Sequence, residues 1–244
     1  MSETTSGISV CVPVSISDNS QIEYFSELLY SFENQQYPHK DILISDDSQN
    51  DMIRDLCLES AKRGYRIRYI RNNKNGIARN LNHAIESSSA AIIKIMFQDD
   101  FFYSANALSE IVDQLLHTEK SWYLSSCNNF SQEKQIFYET IHPKKSKKLS
   151  DGINTISSPS VVAFKRWAYE PFSEKLTYLV DCEWYLRMSH KHGLPFFGKP
   201  VHITNRVHKN QATHWAKDFK LSEIQITKMM HSDPKMGLRV CSCL

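Results

Sequence analysis

Short β-rich apolar runs alternate along this chain with stretches in which apolar residues recur every three or four positions. ISVCVPV, residues 8–14, predicts a first buried strand whose ladder ends at Pro13, because proline has no N–H to donate. Ile22, Phe25, Leu28, Leu29 and Phe32 then follow helical spacing, and the helix is expected to stop near Tyr37-Pro38, since the residue before a proline is pushed out of α geometry. A strand over 41–45, a helix with Ile53, Leu56, Cys57 and Ala61 inward, a strand over 65–70 and the turn NNKNG come next.

A helix over 77–87 leads into IIKIMFQDDFF, residues 92–102, an apolar run that stops at two adjacent carboxylates, Asp99 and Asp100. A helix starting near Ala105 and carrying Leu108, Ile111, Val112, Leu115 and Leu116, and a strand over 122–126, continue the alternation. Strands separated by helix-length crossovers predict an α/β fold with a mostly parallel sheet. Regularity fails over 128–157, a polar, lysine-rich stretch of the kind that forms binding loops. Order resumes with SPSVVAFKR as a strand, LVDCEWYLRMSHKHG as a helix ended by Gly193, strands over 195–197 and 201–206, and a last helix over 215–230 with Phe219, Ile226 and Met230 among its apolar residues.

With 244 residues, 41% of them hydrophobic and 23% charged, the chain can bury a full core. Its formal charge of +2 is too small for a dedicated nucleic-acid binder. Lys144, Lys145, Lys147 and Lys148 form a local basic cluster, either a solvated loop or a patch for an anionic membrane surface or a phosphorylated acceptor. No apolar run reaches membrane-spanning length and the start MSETTSG is no signal peptide, so a cytoplasmic location is expected. The six cysteines are scattered, mostly within apolar segments, and suggest reduced thiols; the terminal Cys241-Ser242-Cys243 is a weak metal signal.

Three features fall at strand ends in the amino-terminal half: Pro13-Val14-Ser15, Asp46-Asp47-Ser48 and Gln98-Asp99-Asp100. If their strands are neighbours in one parallel sheet, all three open into the same crevice, where α/β folds bind ligands. Asp46 or Asp47 could accept a hydrogen bond from a base N–H. Asp99 and Asp100 would repel each other without a compensating cation, which points to a hard divalent ion, Mg²⁺ or Mn²⁺. The competing reading makes both pairs helix caps.

In order and separation, ISVCVPV, DILISDDSQND, NGIARNLNHAI, IIKIMFQDD, SPSVVAFKR, LVDCEWYLR and NRVHKNQAT resemble family 2 glycosyltransferases of the GT-A fold. The resemblance runs from Gly7 to Thr213. It implies a GT-A domain over 1–213, with a nucleotide-sugar-binding half (1–127) and an acceptor and catalytic half (128–213), followed by a helix and tail over 214–244. It further implies inverting transfer from a nucleotide-diphosphate sugar, UDP being the expected nucleotide, with Mn²⁺ or Mg²⁺ as cofactor. The acceptor would be a glycan or lipid-linked glycan of surface polysaccharide synthesis, with possible peripheral contact at the cytoplasmic membrane face.

The same resemblance assigns residues. Asp46 and Asp47, the latter favoured, correspond to the base-reading acids, and Pro13 and Ser15 to the base and ribose pocket. Asp100, then Asp99, are the expected metal ligands, although Phe97 stands where many relatives carry a further acid that contacts ribose. Asp99 also counts among the nucleotide contacts. His208 matches a histidine near diphosphate and metal. Arg79 lies in a segment that packs beside the nucleotide, or else forms a salt bridge on its helix. Asp181 matches the second acid of the family's Glu-Asp motif, with Val180 replacing the first, and is the expected general base; a plain helix cap is the competing role, and Glu183 is the runner-up base. Trp167, Trp184 and Tyr185 are either a wall for a sugar face or core.

Two other functions stay open. A nucleotidyltransferase would want a glycine-rich phosphate loop after the first strand, where VPVSISDNS has no glycine. A non-catalytic nucleotide-sugar binder or assembly partner on the same fold would have no need for Asp100, Asp181 and His208 together.

Overall fold

The computed structural model describes residues 7–73, 76–211, 214 and 216–231. Strand β1 (Ile8–Val14) is buried throughout, as its unbroken apolar run requires of a central parallel strand. Helix α1 (Asn19–Glu33) is closed at its start by a capping box: the Asp18 carboxylate accepts from the backbone of Ser20 and Gln21, and Gln21 Oε1 accepts from Asp18 N. β2 (Lys40–Asp46), α2 (Met52–Lys62), β3 (Ile67–Arg71), α3 (Ile77–Glu86) and β4 (Ile92–Ile95) follow. On α2 the buried face is Ile53, Cys57 and Ser60. Ala61, expected inward, is exposed because the i, i+4, i+7 stripe from Ile53 passes through Ser60.

Among the described residues nine strands form a single sheet in the order β3-β2-β1-β4-β8-β6-β9-β5, with β7 paired to β6. The amino-terminal part, β3-β2-β1-β4, is parallel as expected. The carboxyl-terminal part makes the sheet mixed: β8 (Val162–Lys165) runs antiparallel to β4 and β6 (Trp122–Ser131), whereas β9 (Phe196–Val207) runs parallel to β6. Pro13 does not end the β1 ladder, since it pairs with Ser45 and Val14 pairs with Asp46. The missing N–H is tolerated because Pro13 faces the β4 side, as Cys11 does, and the β4 pairing has already ended at Cys11–Ile95.

That early end of β4 shapes the site. The chain leaves the sheet after Ile95, turns through Gln98 and Asp99, and re-enters as β5 (Phe101–Phe102), antiparallel to β9. Both acids therefore sit in a turn between two strands. Helix α4 (Ala107–Leu116) begins two residues later than expected and leaves Leu116 exposed.

The stretch expected to be irregular is partly a hairpin. β6 runs on to Ser131 and β7 (Ile136–Ile141) returns beside it. Polar residues hide this strand in the sequence because their partners lie elsewhere in the chain, as when Thr204 donates to Asn128 Oδ1 at 2.7 Å. The two strands expected over 195–206 are one, β9, with its register against β6 shifted between Leu124 and Ser126. Gly198 lies at that irregularity, where a Cβ would fall 2.0 Å from the Tyr123 hydroxyl. Helix α5 (Val180–His192) ends at Gly193, and α6 (Lys220–His231) packs Ile224 and Ile226 against the core.

Trp184 and Tyr185 are core residues: Phe172 stacks on Trp184 at 4.8 Å and Trp122 meets it edge-on at 5.9 Å. Trp167 is 71% exposed. The described cysteines, Cys11, Cys57, Cys127 and Cys182, are free and buried, while Cys241 and Cys243 lie outside the described residues. Among the described residues no helix is long and apolar enough to cross a membrane.

Candidate active site

A cleft of about 1600 Å³ opens at the carboxyl ends of β1, β2 and β4 and extends to the start of α5. Pro13, Ser15, Asp47, Arg79, Asp99, Asp100, Asp181 and His208 all line it. The parallel register brings the first three strand-end motifs into one crevice: Val14 lies beside Asp46, and the acid turn reaches β1 through a two-way amide clamp. In that clamp Ser15 N donates to Gln98 Oε1 at 2.7 Å, and Gln98 Nε2 donates to Ser15 O at 3.0 Å.

The first acid pair divides. Asp46 is fully buried and spent on the fold, accepting from Ser48 N at 2.9 Å and Tyr69 Oη at 2.8 Å and pairing with Arg71 at 3.1 Å. It is turned away from the cleft, which removes it from the expected base contacts. Asp47 lines the cleft, held by its backbone N–H to Val14 O at 3.0 Å, and its Oδ1 is a buried oxygen without a hydrogen-bond partner. A carboxyl oxygen left unpaired in a cleft is suited to a ligand N–H. Neither acid pair caps a helix, because the N-caps of α2 and α4 are Asp51 and Asn106.

The second pair divides as well. Asp100 points inward: Oδ1 accepts from Arg206 N at 3.0 Å and Oδ2 from Ser158 Oγ at 3.1 Å. Burial, and after it the charge of Asp99, raises its pKa well above the usual carboxylate range. Asp99 is the more open of the two, and its Oδ2 lies 3.0 Å from His208 Nε2. Each oxygen of Asp100, the first expected metal ligand, is thus engaged by the protein, and Asp99 is the more accessible carboxylate.

As placed, His208 Nδ1 accepts from Asn210 N at 3.2 Å, so Nε2 carries the proton and donates to Asp99. In this tautomer His208 orients Asp99; to ligate a cation itself it would have to give up the bond to Asn210. Among the described residues no three His, Cys, Asp or Glu side chains are grouped to cage a metal. One open carboxylate backed by a histidine does fit Mg²⁺ or Mn²⁺, ions held by one or two carboxylates together with water and substrate phosphate.

Arg206, which sequence reasoning passed over, is the pillar behind this turn. Its Nε donates to Asp99 O at 3.0 Å, and its other nitrogens reach Gln132 and Glu27. Its guanidinium sits 4.6 Å from the Tyr24 ring centre and 5.1 Å from that of Phe101. Asn80 was also missed: from the buried face of α3 it donates to Val14 O at 2.9 Å and accepts from Ser45 Oγ at 2.6 Å, fixing the end of β1. Its only signal is a polar residue on the inward stripe of an amphipathic helix.

Arg79 lines the cleft and pairs with Glu174 at 2.6 Å across it, the salt bridge that was its alternative role. Phe97 also lines the cleft, where its ring offers no polar contact to a ribose.

At the far end, Asp181 lies in the first turn of α5. The N-cap is Leu179, so Asp181 is not the cap. Its Oδ1 accepts from Cys182 N at 2.7 Å and its Oδ2 from Asn154 Nδ2 at 2.6 Å. Burial nonetheless outweighs these bonds and raises its pKa to about 6. Desolvation is the larger effect here, ahead of the hydrogen bonds donated to the carboxylate. Glu183 is no alternative base, because it is fully buried against Arg187 in a two-pronged ion pair at 2.8 Å.

The start of α5 is held from outside by another unforeseen residue. Glu223 of α6 accepts from the backbone N–H groups of Thr177, Tyr178 and Leu179 at 2.7, 2.8 and 2.7 Å. It ties down the turn that leads into α5 and reaches the N-cap, Leu179, which has no side-chain cap of its own.

A search of curated proteins finds no match to this sequence. Among solved structures, S. aureus TarS 1–349 in complex with UDP matches with a TM-score of 0.64 at 14% identity, covering 93% of this chain and 72% of that one. The mannosyltransferase PcManGT from Pyrobaculum calidifontis, in complex with GDP-Man and Mn²⁺, matches with a TM-score of 0.68 at 15% identity, covering 96% and 67%. At such identities the likeness is one of fold. The family model described as Glycosyl transferase family 2 matches residues 9–173. Because that match takes in both acid pairs and the strands that present them, this chain belongs to glycosyl transferase family 2.

Proposed function

We propose that the protein is an inverting glycosyltransferase that moves a sugar from a nucleoside-diphosphate donor, UDP being the expected nucleotide, to a hydroxyl of a glycan or lipid-linked glycan acceptor. The observation that carries this reading is the half-buried Asp181, with its pKa raised to about 6, facing the same cleft as Asp47 and Asp99. A base near the operating pH is nearly all ionised at neutrality and still takes a proton effectively.

Asp47 accepts the Watson–Crick-edge N–H of the base, through an oxygen that has no partner within the protein. Uracil and guanine offer such an N–H and cytosine lacks it at N3. TarS with UDP and PcManGT with GDP-Man fit that preference. Pro13 and Ser15 flank the base and ribose, and Arg79 stands at the cleft edge. Asp99, oriented by His208, would hold a Mn²⁺ or Mg²⁺, with Asp100 shaping the turn behind it. When bound, the ion supplies positive charge for the departing diphosphate.

In the reaction the acceptor oxygen attacks the anomeric carbon from the face opposite the diphosphate. The new C–O bond forms as the bond to phosphate oxygen breaks, and the acceptor proton passes to Asp181. The nucleoside diphosphate leaves with the bonding pair, and the anomeric configuration inverts. Lys144, Lys145, Lys147 and Lys148 are all exposed, which suits a diphosphate-linked lipid acceptor at the cytoplasmic membrane face in surface polysaccharide synthesis.

Calorimetric titration of UDP, GDP, CDP and dTDP, with and without Mn²⁺, tests the donor half of this reading. One nucleotide should bind with metal dependence, and Asp47→Ala should weaken it. If none binds under any condition, the catalytic reading fails and a scaffold on the same fold takes its place.

A further inference from the structure

Asp181 is positioned by a segment far from it in sequence. Gly152, Asn154, Ser157 and Ser158 of that segment line the cleft between the start of α5 and the acid turn. Gly152 adopts φ +70°, and a Cβ there would lie 3.1 Å from Ile224 Cγ1 and 3.2 Å from Leu179 Cδ2. The segment is therefore pressed closely against α6 and the residue that caps α5.

Within it, the Asn154 side chain has its hydrogen-bonding capacity filled. Its Oδ1 accepts from Ile156 N at 2.8 Å and Ser157 N at 3.0 Å. Its Nδ2 donates to Ser157 O at 2.9 Å and to Asp181 Oδ2 at 2.6 Å. Two backbone donors on one end fix which way the amide points, so the end facing Asp181 is always N–H. Ser157 holds φ +123°, a conformation rare for a residue with a side chain. It is held there by Tyr185 Oη donating to its carbonyl at 3.0 Å and by Asn205 Nδ2 donating to its Oγ at 2.8 Å. The next residue, Ser158, bonds Asp100.

We propose that Asn154 is the positioning residue of Asp181, and that the strap from Asn154 to Ser158 sets the distance between the base and the acid turn. This rests on the reading of Asp181 as the base. Cys182 N occupies Oδ1 and Asn154 occupies Oδ2, so both carboxylate oxygens are fixed and their remaining lone pairs are left for the acceptor hydroxyl. An asparagine is required here because an aspartate would set a second acceptor against the carboxylate. The donated bond also favours the charged form of Asp181, against the burial that disfavours it.

The test needs no substrate. Carboxyl ¹³C NMR of the full chain labelled at aspartate, with the Asp181 signal assigned by its loss in Asp181→Asn, reads the titration midpoint directly. It is expected near 6 in the native protein. In Asn154→Ala the midpoint should rise by about one pH unit. In the near-isosteric Asn154→Asp it should rise further, because like charge adds to the lost bond. The remaining aspartate signals, unmoved, report that each variant is folded. In turnover, the acidic limb of kcat/KM should follow the midpoint, with kcat lowered by roughly 10- to 100-fold and donor KM little changed. Unchanged midpoints in both variants overturn the proposal. Undiminished turnover by Asp181→Asn would instead overturn the assignment of the base, leaving the hydrogen-bond relationship to be judged by the NMR result alone.

Discussion

His208 Nε2 lies 3.0 Å from Asp99 Oδ2, whereas the neighbouring Asp100 is turned into the protein and bonded to Arg206 N and Ser158 Oγ. Two adjacent carboxylates thus differ in setting, one open to the cleft and one holding the turn. Asp99→Ala should abolish the metal dependence of nucleotide binding, at the stability cost of the single bond from His208. Asp100→Ala should cost about 1–3 kcal/mol of stability, because it leaves a buried backbone N–H unpaired. Calorimetry with and without Mn²⁺, paired with thermal unfolding of each variant, distinguishes the two.

A parallel division applies to the first acid pair. Asp47→Ala should weaken nucleotide binding by roughly 10- to 100-fold with little effect on stability, since its free Oδ1 has no partner to lose. Asp46→Ala should instead unfold more readily, by about 2–4 kcal/mol, because Tyr69 and Ser48 lose their acceptor and Arg71 loses its buried ion-pair partner. Equal loss of binding in two stable variants would show that the orientation of the pair is misassigned.

Asp181→Asn should bind donor normally and lose turnover by about 10²- to 10⁴-fold. The native pH–rate profile should fall as pH drops through about 6, where the carboxylate takes up its proton. The same raised pKa carries a stability cost of opposite sense. The folded state binds this proton more tightly than the unfolded chain, so ionising Asp181 removes stability progressively as pH rises from the ordinary carboxylate range through about 6. Asp181→Asn should therefore be more stable than the native protein at pH 8, by about 1–2 kcal/mol, and lose that advantage at pH 4. Thermal unfolding at the two pH values measures it.

Glu223→Ala should destabilise the protein by about 2–4 kcal/mol, because three backbone N–H groups at the start of α5 lose their acceptor together. Since α5 carries Asp181, kcat should fall more than donor affinity. Hydrogen exchange at Thr177, Tyr178 and Leu179 should rise in the variant; unaltered protection there would show that the helix start is held by other means.

The alternation of strand and helix from Ile8 to Leu116 was legible because periodicity reports local burial, and a parallel sheet buries its strands on both faces. So was the gathering of Ser15, Asp47 and Asp99 at one edge, which follows from parallel strands ending at the same level. The hairpin of β6 and β7 was hidden, since Asn128 and Asn129 look like loop residues until Thr204 and Glu139 are placed beside them. Arg206, Asn80 and Glu223 were passed over for a related reason: Ser45 and Val14 lie 35 and 66 positions from Asn80, and the side-chain partners lie 74 or more positions away for Arg206 and 44 or more for Glu223.

By itself the sequence determined which segments become strands and helices, and that carboxylates stand where strands end, because both follow from the spacing of apolar residues along the backbone. Only the tertiary structure decided which carboxylate of each pair faces the cleft. Asp46 and Asp47, like Asp99 and Asp100, are chemically identical neighbours, and what separates them is the set of donors brought to one of each pair by distant elements: Tyr69 and Arg71 to Asp46, Arg206 and Ser158 to Asp100. A carboxylate supplied with buried donors is held inside, and its neighbour is left for the ligand.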